Sequence, residues 1–180
     1  EYYARMDSDD ISMPERLMLQ SQFLNENSGI SILGTWAIEF TKDIHASTNF
    51  LKKVPSEYSE VLEFYHYRNP LIHPTVIFRK DVFDIVGYYN ESFSSDQDLE
   101  LWGRCIKANI GISNLRQPLL YHNINGIYNR RTKLNSIYNQ ILARNLLSAP
   151  TLRLKILKFA AICFRFMPKW IIRYGYSRLR

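Results

Sequence analysis

The 180-residue sequence predicts an α/β fold: a sheet with flanking helices, followed by a basic, amphipathic helical tail. Three observations carry this. Strand-like runs rich in β-branched and aromatic residues alternate with helical patterns through residues 1–125. An acidic tetrad, Asp7-Ser8-Asp9-Asp10, stands between strand-like Tyr2–Met6 and helix-like Ile11–Leu17, at the kind of strand end where open α/β sheets bind ligands. The charge is also segregated. Residues 1–100 hold all 17 acidic side chains against 8 basic ones, whereas residues 101–180 hold the other 15 basic side chains and no Asp or Glu.

The elements follow in order. Tyr2–Met6 reads as the end of a buried strand, and about Pro14 to Asn27 as the first helix. Gly29 to Phe40 reads as one or two strands. Residues 41–60 are polar and mixed, a loop or irregular excursion. Val61 to Arg68 reads as a short helix before Asn69-Pro70, and Thr75–Arg79 as a strand. Lys80 to Val86 has helical spacing stopped by Gly87. Asp98 to Ala108 is an amphipathic helix with Leu99, Trp102 and Ile106 on one face. A short strand at Ile112–Leu115 and the apolar Leu119-Leu120-Tyr121 follow. Asn129 to Leu147 reads as a polar, basic helix ending near Ala149-Pro150.

Three carboxylates within four residues repel one another unless a cation neutralises them. Hard divalent ions such as Mg²⁺ or Mn²⁺ prefer such oxygens and bridge to phosphates. The plainer alternative is an acidic turn capping a helix. Ser12 with Glu15 three residues on matches a capping box, and Pro14 suits the first turn, so the helix start has its own provision. That leaves Asp7, Asp9 and Asp10 for another task.

In the tail, Thr151 to Arg180, the residues Lys155, Lys158, Arg165, Lys169, Arg173 and Arg180 fall within an arc of about 80° at ~100° per residue. Pro168 is expected to kink or split this helix. The charges and the lack of a long apolar run argue against a transmembrane span. A basic stripe beside a Phe, Trp and Leu face suits the interface of an anionic membrane; the alternative is a packed helix with its stripe in solvent. Cys105 and Cys163 sit in apolar helical contexts and read as thiols rather than a disulfide, which fits a reducing compartment.

A second acidic group, Ser95-Asp96-Gln97-Asp98, opens the Trp102 helix. Its carboxylates suit capping and the helix dipole, or general-base work on a substrate hydroxyl. Upstream, His73 can orient a substrate and Arg79 can pair with a phosphate or the acidic clusters.

In order, Arg5-Met6-Asp7-Ser8-Asp9-Asp10-Ile11-Ser12-Met13-Pro14-Glu15-Arg16-Leu17, the Gly34-Thr35-Trp36 strand, Asn69 to Lys80, Gly87-Tyr88-Tyr89 and Gln97 to Trp102 resemble the family 2 glycosyltransferases of the GT-A fold. The resemblance covers roughly residues 1–125. It implies a partial GT-A, Rossmann-like mixed sheet in 1–125 and a basic helical extension in 126–180. It implies that Asp7 faces the ribose side of a nucleotide and that Asp9, supported by Asp10, ligates a divalent metal on the diphosphate. Asp98 matches the catalytic base, with His73, Arg79, Gln97 and Trp102 on the substrate. Many relatives carry Glu where this chain has Gln97, and a Tyr-Arg-x-His segment where it has Tyr121-His122-Asn123-Ile124-Asn125. The family's N-terminal strands and nucleoside contacts are not in this sequence, which opens at Glu1 as if in mid-strand and is expected to be the C-terminal portion of the enzyme.

The expected activity is inverting transfer of a sugar from a nucleotide-sugar, a UDP-sugar above others, to a hydroxyl of a glycan or lipid-linked acceptor in surface polysaccharide synthesis. Residues 151–180 are expected to hold the protein at the inner, cytoplasmic face of the membrane. Two rivals remain. One is an inactive fragment serving as a membrane-binding or assembly module. The other is a nucleic-acid binder stacking bases on Tyr121, Tyr128 and Tyr138, which leaves the acidic half unexplained, so no nucleic acid is expected.

Overall fold

A computed structural model describes residues 1–126 and 134–178. Among the described residues, six strands form one mixed sheet in the order β1-β5-β3-β6-β2, with β4 paired to β3 off that path. They are β1 (Tyr2–Ala4), β2 (Ile11–Ser12), β3 (Ile32–Phe40), β4 (Phe50–Lys52), β5 (Ile77–Arg79) and β6 (Ile112–Asn123). The helices are α1 (Arg16–Glu26), α2 (Tyr58–Tyr65), α3 (Asp81–Val86), α4 (Gln97–Lys107), α5 (Leu134–Asn145), α6 (Leu152–Phe164) and α7 (Lys169–Arg178), with a 3-10 turn at His73–Thr75.

The centre is β3, whose run Ile32-Leu33-Gly34-Thr35-Trp36-Ala37 is nearly all buried. It pairs in parallel with β6 from Ile32↔Ile112 to Phe40↔Asn123, with register shifts around Trp36. On its other edge β5 pairs at Ile32 and Leu33, and β4 pairs further along at Ala37 to Glu39, both antiparallel. Gly34 is required here, because a Cβ would stand 2.1 Å from Asn114 Oδ1.

Four expectations are corrected. The tetrad does not follow a buried strand: β1 is a partly exposed edge strand, antiparallel to β5. Ile11 and Ser12 do not open a helix. They form β2, pairing with Tyr121 and Leu120 of β6, so α1 starts at Arg16. The capping box is therefore not made: Glu15 stands at the N-cap without a side-chain cap bond, and the Ser12 hydroxyl donates to Met13 O. Ile112–Leu115 and Leu119–Tyr121 are one twelve-residue strand, because the register shift absorbs the Pro118 interruption.

Phe78, Leu99, Trp102, Cys105 and Ile112 share the main core with Tyr65 of α2 and Ala143 of α5. Rather than one apolar face, α4 buries nearly its whole circumference, including Glu100. The basic helix expected from Asn129 is described from Leu134 on; residues 127–133, with Tyr128, lie outside the described residues. Four of its polar side chains, Ser136, Asn139, Gln140 and Arg144, are buried, while Asn135 and Asn145 are exposed. Tyr65 donates its hydroxyl to Ala143 O, and Arg144 donates to Tyr65 O. The tail divides at Pro168 into α6 and α7, as expected. No described helix is long and apolar enough to cross a membrane.

Candidate active site

Because β1 and β2 lie at opposite edges of the sheet, residues 5–10 must cross from one edge to the other. Buried polar side chains of α1 support that crossing. Arg16 donates to Arg5 O (2.7 Å) and to Gln20 Oε1 (3.0 Å). Gln20 in turn donates to Leu33 O and Thr75 O, both at 2.9 Å. Neither Arg16 nor Gln20 was singled out by sequence, since helical pattern alone does not show that a polar residue will point inward.

Within the tetrad, Asp7 is ion-paired with Arg5, Asp9 is exposed and Asp10 is buried. One Asp10 carboxylate oxygen accepts the Asn123 N–H at 2.7 Å; the other is buried without a hydrogen-bond partner. Burial, opposed by the Asn123 bond and reinforced by Asp7 and Asp9, raises the Asp10 carboxyl to about 6, while Arg16 acts to lower it. Among the described residues, no three His, Cys, Asp or Glu side chains gather into a metal cage. The buried, half-satisfied carboxylate beside two others nevertheless fits a cation completed by a substrate's phosphates, because hard ions take such oxygens readily. Asn123, immediately after His122, thus brings a β6 backbone N–H to the tetrad.

The second acidic group comes to the same place. Asp98, in the first turn of α4, accepts a hydrogen bond from Asn69 Nδ2 at 2.5 Å. His73 Nε2 and the Tyr89 hydroxyl are 2.8 Å apart. Burial lowers the His73 pKa, with Asp98 and Asp7 acting against it and Arg5 with it. Burial raises the Tyr89 hydroxyl, and the charges of Asp98 and Asp7 add to this while Arg5 opposes. The charges of Asp7 and Asp98, far apart in sequence, are therefore both felt by one His–Tyr pair. Beside it opens a cleft of about 300 Å³, lined by Tyr3, Arg5, Phe83, Tyr88 and Tyr89. A larger groove of about 760 Å³ lies between β4 and α2, lined by Phe50, Lys53, Phe64 and Tyr67, away from these carboxylates. Chemistry, not size, locates the candidate site.

Tyr89 is held indirectly. Arg104 pairs with buried Glu100 at 2.9 Å and donates to Val86 O and Tyr88 O, fixing the turn where Gly87 takes φ 75°. Asn69, Tyr89 and Arg5 lay within the segments that sequence reading picked out, but only the fold reveals their contacts.

Three proposed substrate residues are engaged by the protein itself. Trp102 is fully buried, stacked on Phe78 with ring centroids 5.8 Å apart and edge-on to His73 at 6.2 Å. It supports His73 from the core and offers no surface to a ligand. Arg79 donates to Ile30 O at 2.9 Å and to Leu24 O, with its guanidinium over the Tyr2 ring. Those carbonyls, at the end of α1 and before β3, hold it away from the acidic clusters. Gln97 donates to Phe93 O at 2.6 Å and so closes the loop before α4. Asp96 lies in the left-handed region (φ 57°) and accepts from Ser136 Oγ (2.7 Å), Gln140 Nε2 (2.6 Å) and Ser95 Oγ (3.1 Å).

No protein-family model matches the sequence. The chain is 32% identical over 117 residues to the amylovoran biosynthesis glycosyltransferase AmsE of Erwinia amylovora, which covers 65% of this chain and 42% of the relative. It is 31% identical over 137 residues to the O-antigen biosynthesis glycosyltransferase WbnJ of Escherichia coli, covering 74% and 50%. The chain thus spans about half the length of these relatives or less. A crystal structure of S. aureus TarS (residues 1–349) superposes with a TM-score of 0.54 at 18% identity, over 92% of this chain and 46% of that one. By ancestry the chain is a glycosyltransferase homologue, and its curled mixed sheet with flanking helices has a GT-A-like fold.

Proposed function

We propose that this chain carries the metal-binding and base-bearing portion of an inverting glycosyltransferase of the family 2 type. It moves a sugar from a nucleotide-sugar, a UDP-sugar, to a hydroxyl of a glycan or lipid-linked acceptor in surface polysaccharide synthesis. The work takes place peripherally at the inner face of the cytoplasmic membrane. The observation that carries the reading is the buried Asp10 carboxylate with one oxygen left without a partner, in a chain that also holds the Asp98 carboxylate on Asn69.

Asp98 accepts the proton of the acceptor hydroxyl as that oxygen bonds to the anomeric carbon and the bond to the diphosphate breaks on the opposite face. Asn69 orients the Asp98 carboxylate from its Oδ2 side. His73, kept neutral by burial and hydrogen-bonded to Tyr89, lines the acceptor side without adding a cation that would weaken the base. Asp9 and Asp10 would hold Mg²⁺ or Mn²⁺, and Asp7 the ribose side of the donor. When bound, that ion neutralises charge on the departing nucleoside diphosphate.

The test is turnover of UDP-sugars by the full-length protein, read as UDP release. Asp98→Asn is expected to lower it by about 10²–10⁴-fold, the usual worth of a general base. Asp9→Ala is expected to abolish its dependence on added Mg²⁺ or Mn²⁺ along with most activity. Undiminished turnover in Asp98→Asn removes that residue as base.

A further inference from the structure

Of the basic stripe read from the sequence of the tail, Lys155 alone is exposed among the described side chains. Lys158 is half-buried and donates its ammonium to Leu147 O at 3.3 Å, with burial and nearby Arg144 lowering its pKa. Arg165 is half-buried as well, and Lys169, Arg173 and Arg180 fall outside the described side chains. Buried Leu154 marks the packed side of the helix. The outward side is apolar. Leu152, Ile156 and Phe159 are 73%, 58% and 70% exposed, and at ~100° per residue they share an arc of about 60° roughly opposite Leu154. Phe166 and Met167, between the two helices, are exposed too, and Trp170 and Tyr174 stand one turn apart on α7, 72% and 63% exposed. The two helices are packed together: the Phe164 ring lies against Gly175, where a Cβ would come within 2.6 Å of it, and Ile172 is buried.

Seven large apolar side chains exposed along one hairpin exceed the scattered apolar residues of an ordinary surface. Their surroundings indicate what covers them. Exposed Arg153 and Lys155 flank the α6 arc on either side; Arg153 also pairs with Glu63 of α2 at 3.4 Å, while residues 101–180 themselves contain no acidic side chain. An apolar stripe bordered by cations is the pattern of a helix lying in the headgroup region of an anionic bilayer. We propose that the α6–α7 hairpin docks on anionic lipid through Leu152, Ile156, Phe159, Phe166, Met167, Trp170 and Tyr174. The basic residues border this contact and steer its approach. This deepens the membrane placement in the proposed function, and it stands whether or not Asp98 is the base.

The experiment is sedimentation with phosphatidylcholine vesicles made with or without phosphatidylglycerol, at low and high salt. The full-length protein is expected to pellet with the anionic vesicles. Changing Ile156, Phe159 and Trp170 together to Ser is expected to weaken this by about a hundredfold or more, from the apolar area withdrawn from lipid. All three are exposed, so far-ultraviolet circular dichroism and melting are expected to stay unchanged. A second reading uses brominated lipid, whose quenching reports Trp170, because Trp102 is buried and Trp36 lies half-buried under Lys53. Trp170→Phe is expected to abolish the quenching while pelleting persists. Unchanged pelleting of the triple Ser variant overturns the proposal. So does wild-type protein that ignores anionic vesicles yet self-associates or binds oligonucleotides through this face. Vesicle binding needs no sugar donor, so failure here leaves the transfer reading untouched, and the reverse also holds.

Discussion

The contact between Asp96 and α5 gives the sharpest test of how the loop before α4 is held. Asp96 combines a left-handed backbone with a carboxylate that accepts hydrogen bonds from Ser136 and Gln140, both buried. Hydrogen bonds to a charged acceptor contribute about 1.5–3 kcal/mol each, and an abandoned buried donor loses about as much. Asp96 itself is half-exposed, so the lower end applies and the pair contributes about 3 kcal/mol. The bond from neighbouring Ser95 is local and adds little. Alanine at φ 57° adds a backbone cost of about 1 kcal/mol that glycine avoids. Asp96→Ala is therefore expected to cost about 4 kcal/mol and Asp96→Gly about 1 kcal/mol less, out of a total of roughly 5–15 kcal/mol for a domain.

The assay is urea unfolding at fixed salt, with Asp96→Ala and Gln140→Ala made singly and together. The cycle isolates their interaction, expected at about 1.5 kcal/mol. A coupling below about 0.5 kcal/mol in folded variants refutes the bond. Glycine no better than alanine at position 96 refutes the backbone part.

Three other changes follow from the same geometry. Gly111→Ala would set a Cβ 1.9 Å from Gly29 O and is expected to cost about 1–3 kcal/mol in urea unfolding, whereas Gly29→Ala, with nothing within 4 Å, is expected to stay within about 0.5 kcal/mol. Arg79→Lys loses the fork that reaches Ile30 O and Leu24 O together and is expected to lower stability by about 2 kcal/mol without changing nucleotide-sugar affinity; a loss of affinity in a stable variant would return Arg79 to the substrate. His66 is buried, with its pKa lowered chiefly by desolvation, then by Lys158 and Arg144. The unfolded chain then takes up the proton first, so this contribution to stability is present above about pH 6.5 and lost as pH falls. His73 acts in the same direction, while Asp10, raised to about 6, acts in the opposite one. The check is the stability of wild type minus that of His66→Leu across pH 5 to 8, which is expected to fall toward acid; a constant difference refutes it.

Much of the fold was legible because its signals are local. The β-branched run of β3, Gly87 after α3 and the Pro168 break each mark an element by residues close together in sequence. What was not legible depends on partners far along the chain. Ile11 and Ser12 look like a helix entry until Leu120 and Tyr121 claim them for a ladder. Trp102 looks like a substrate contact until Phe78 stacks on it in the core, and Arg79 like a phosphate ligand until two carbonyls occupy it. At the candidate site, the sequence singled out the carboxylates, although the capping box by which it judged the tetrad surplus is not made. It did not show that Asn69, His73 and Tyr89 lie where the two acidic groups approach each other.

The segregation of charge suggested two halves with separate tasks, but α5 complicates that division. It belongs by sequence to the basic half, yet its side chains enter the acidic half: Ser136 and Gln140 at Asp96, Asn139 at Ser95 O, and Arg144 at Tyr65 O. Asp98 lies only two residues beyond Asp96, at the start of the helix that this contact anchors. The next segments of the same half, α6 and α7, expose the apolar stripe. If that stripe sits on lipid, α5 links the membrane contact to the loop bearing the proposed base through buried hydrogen bonds. Weakening the Asp96–Gln140 bond should then lower transfer to a membrane-borne acceptor more than it lowers UDP release to water. Equal losses in the two assays would mean that α5 only stabilises the fold.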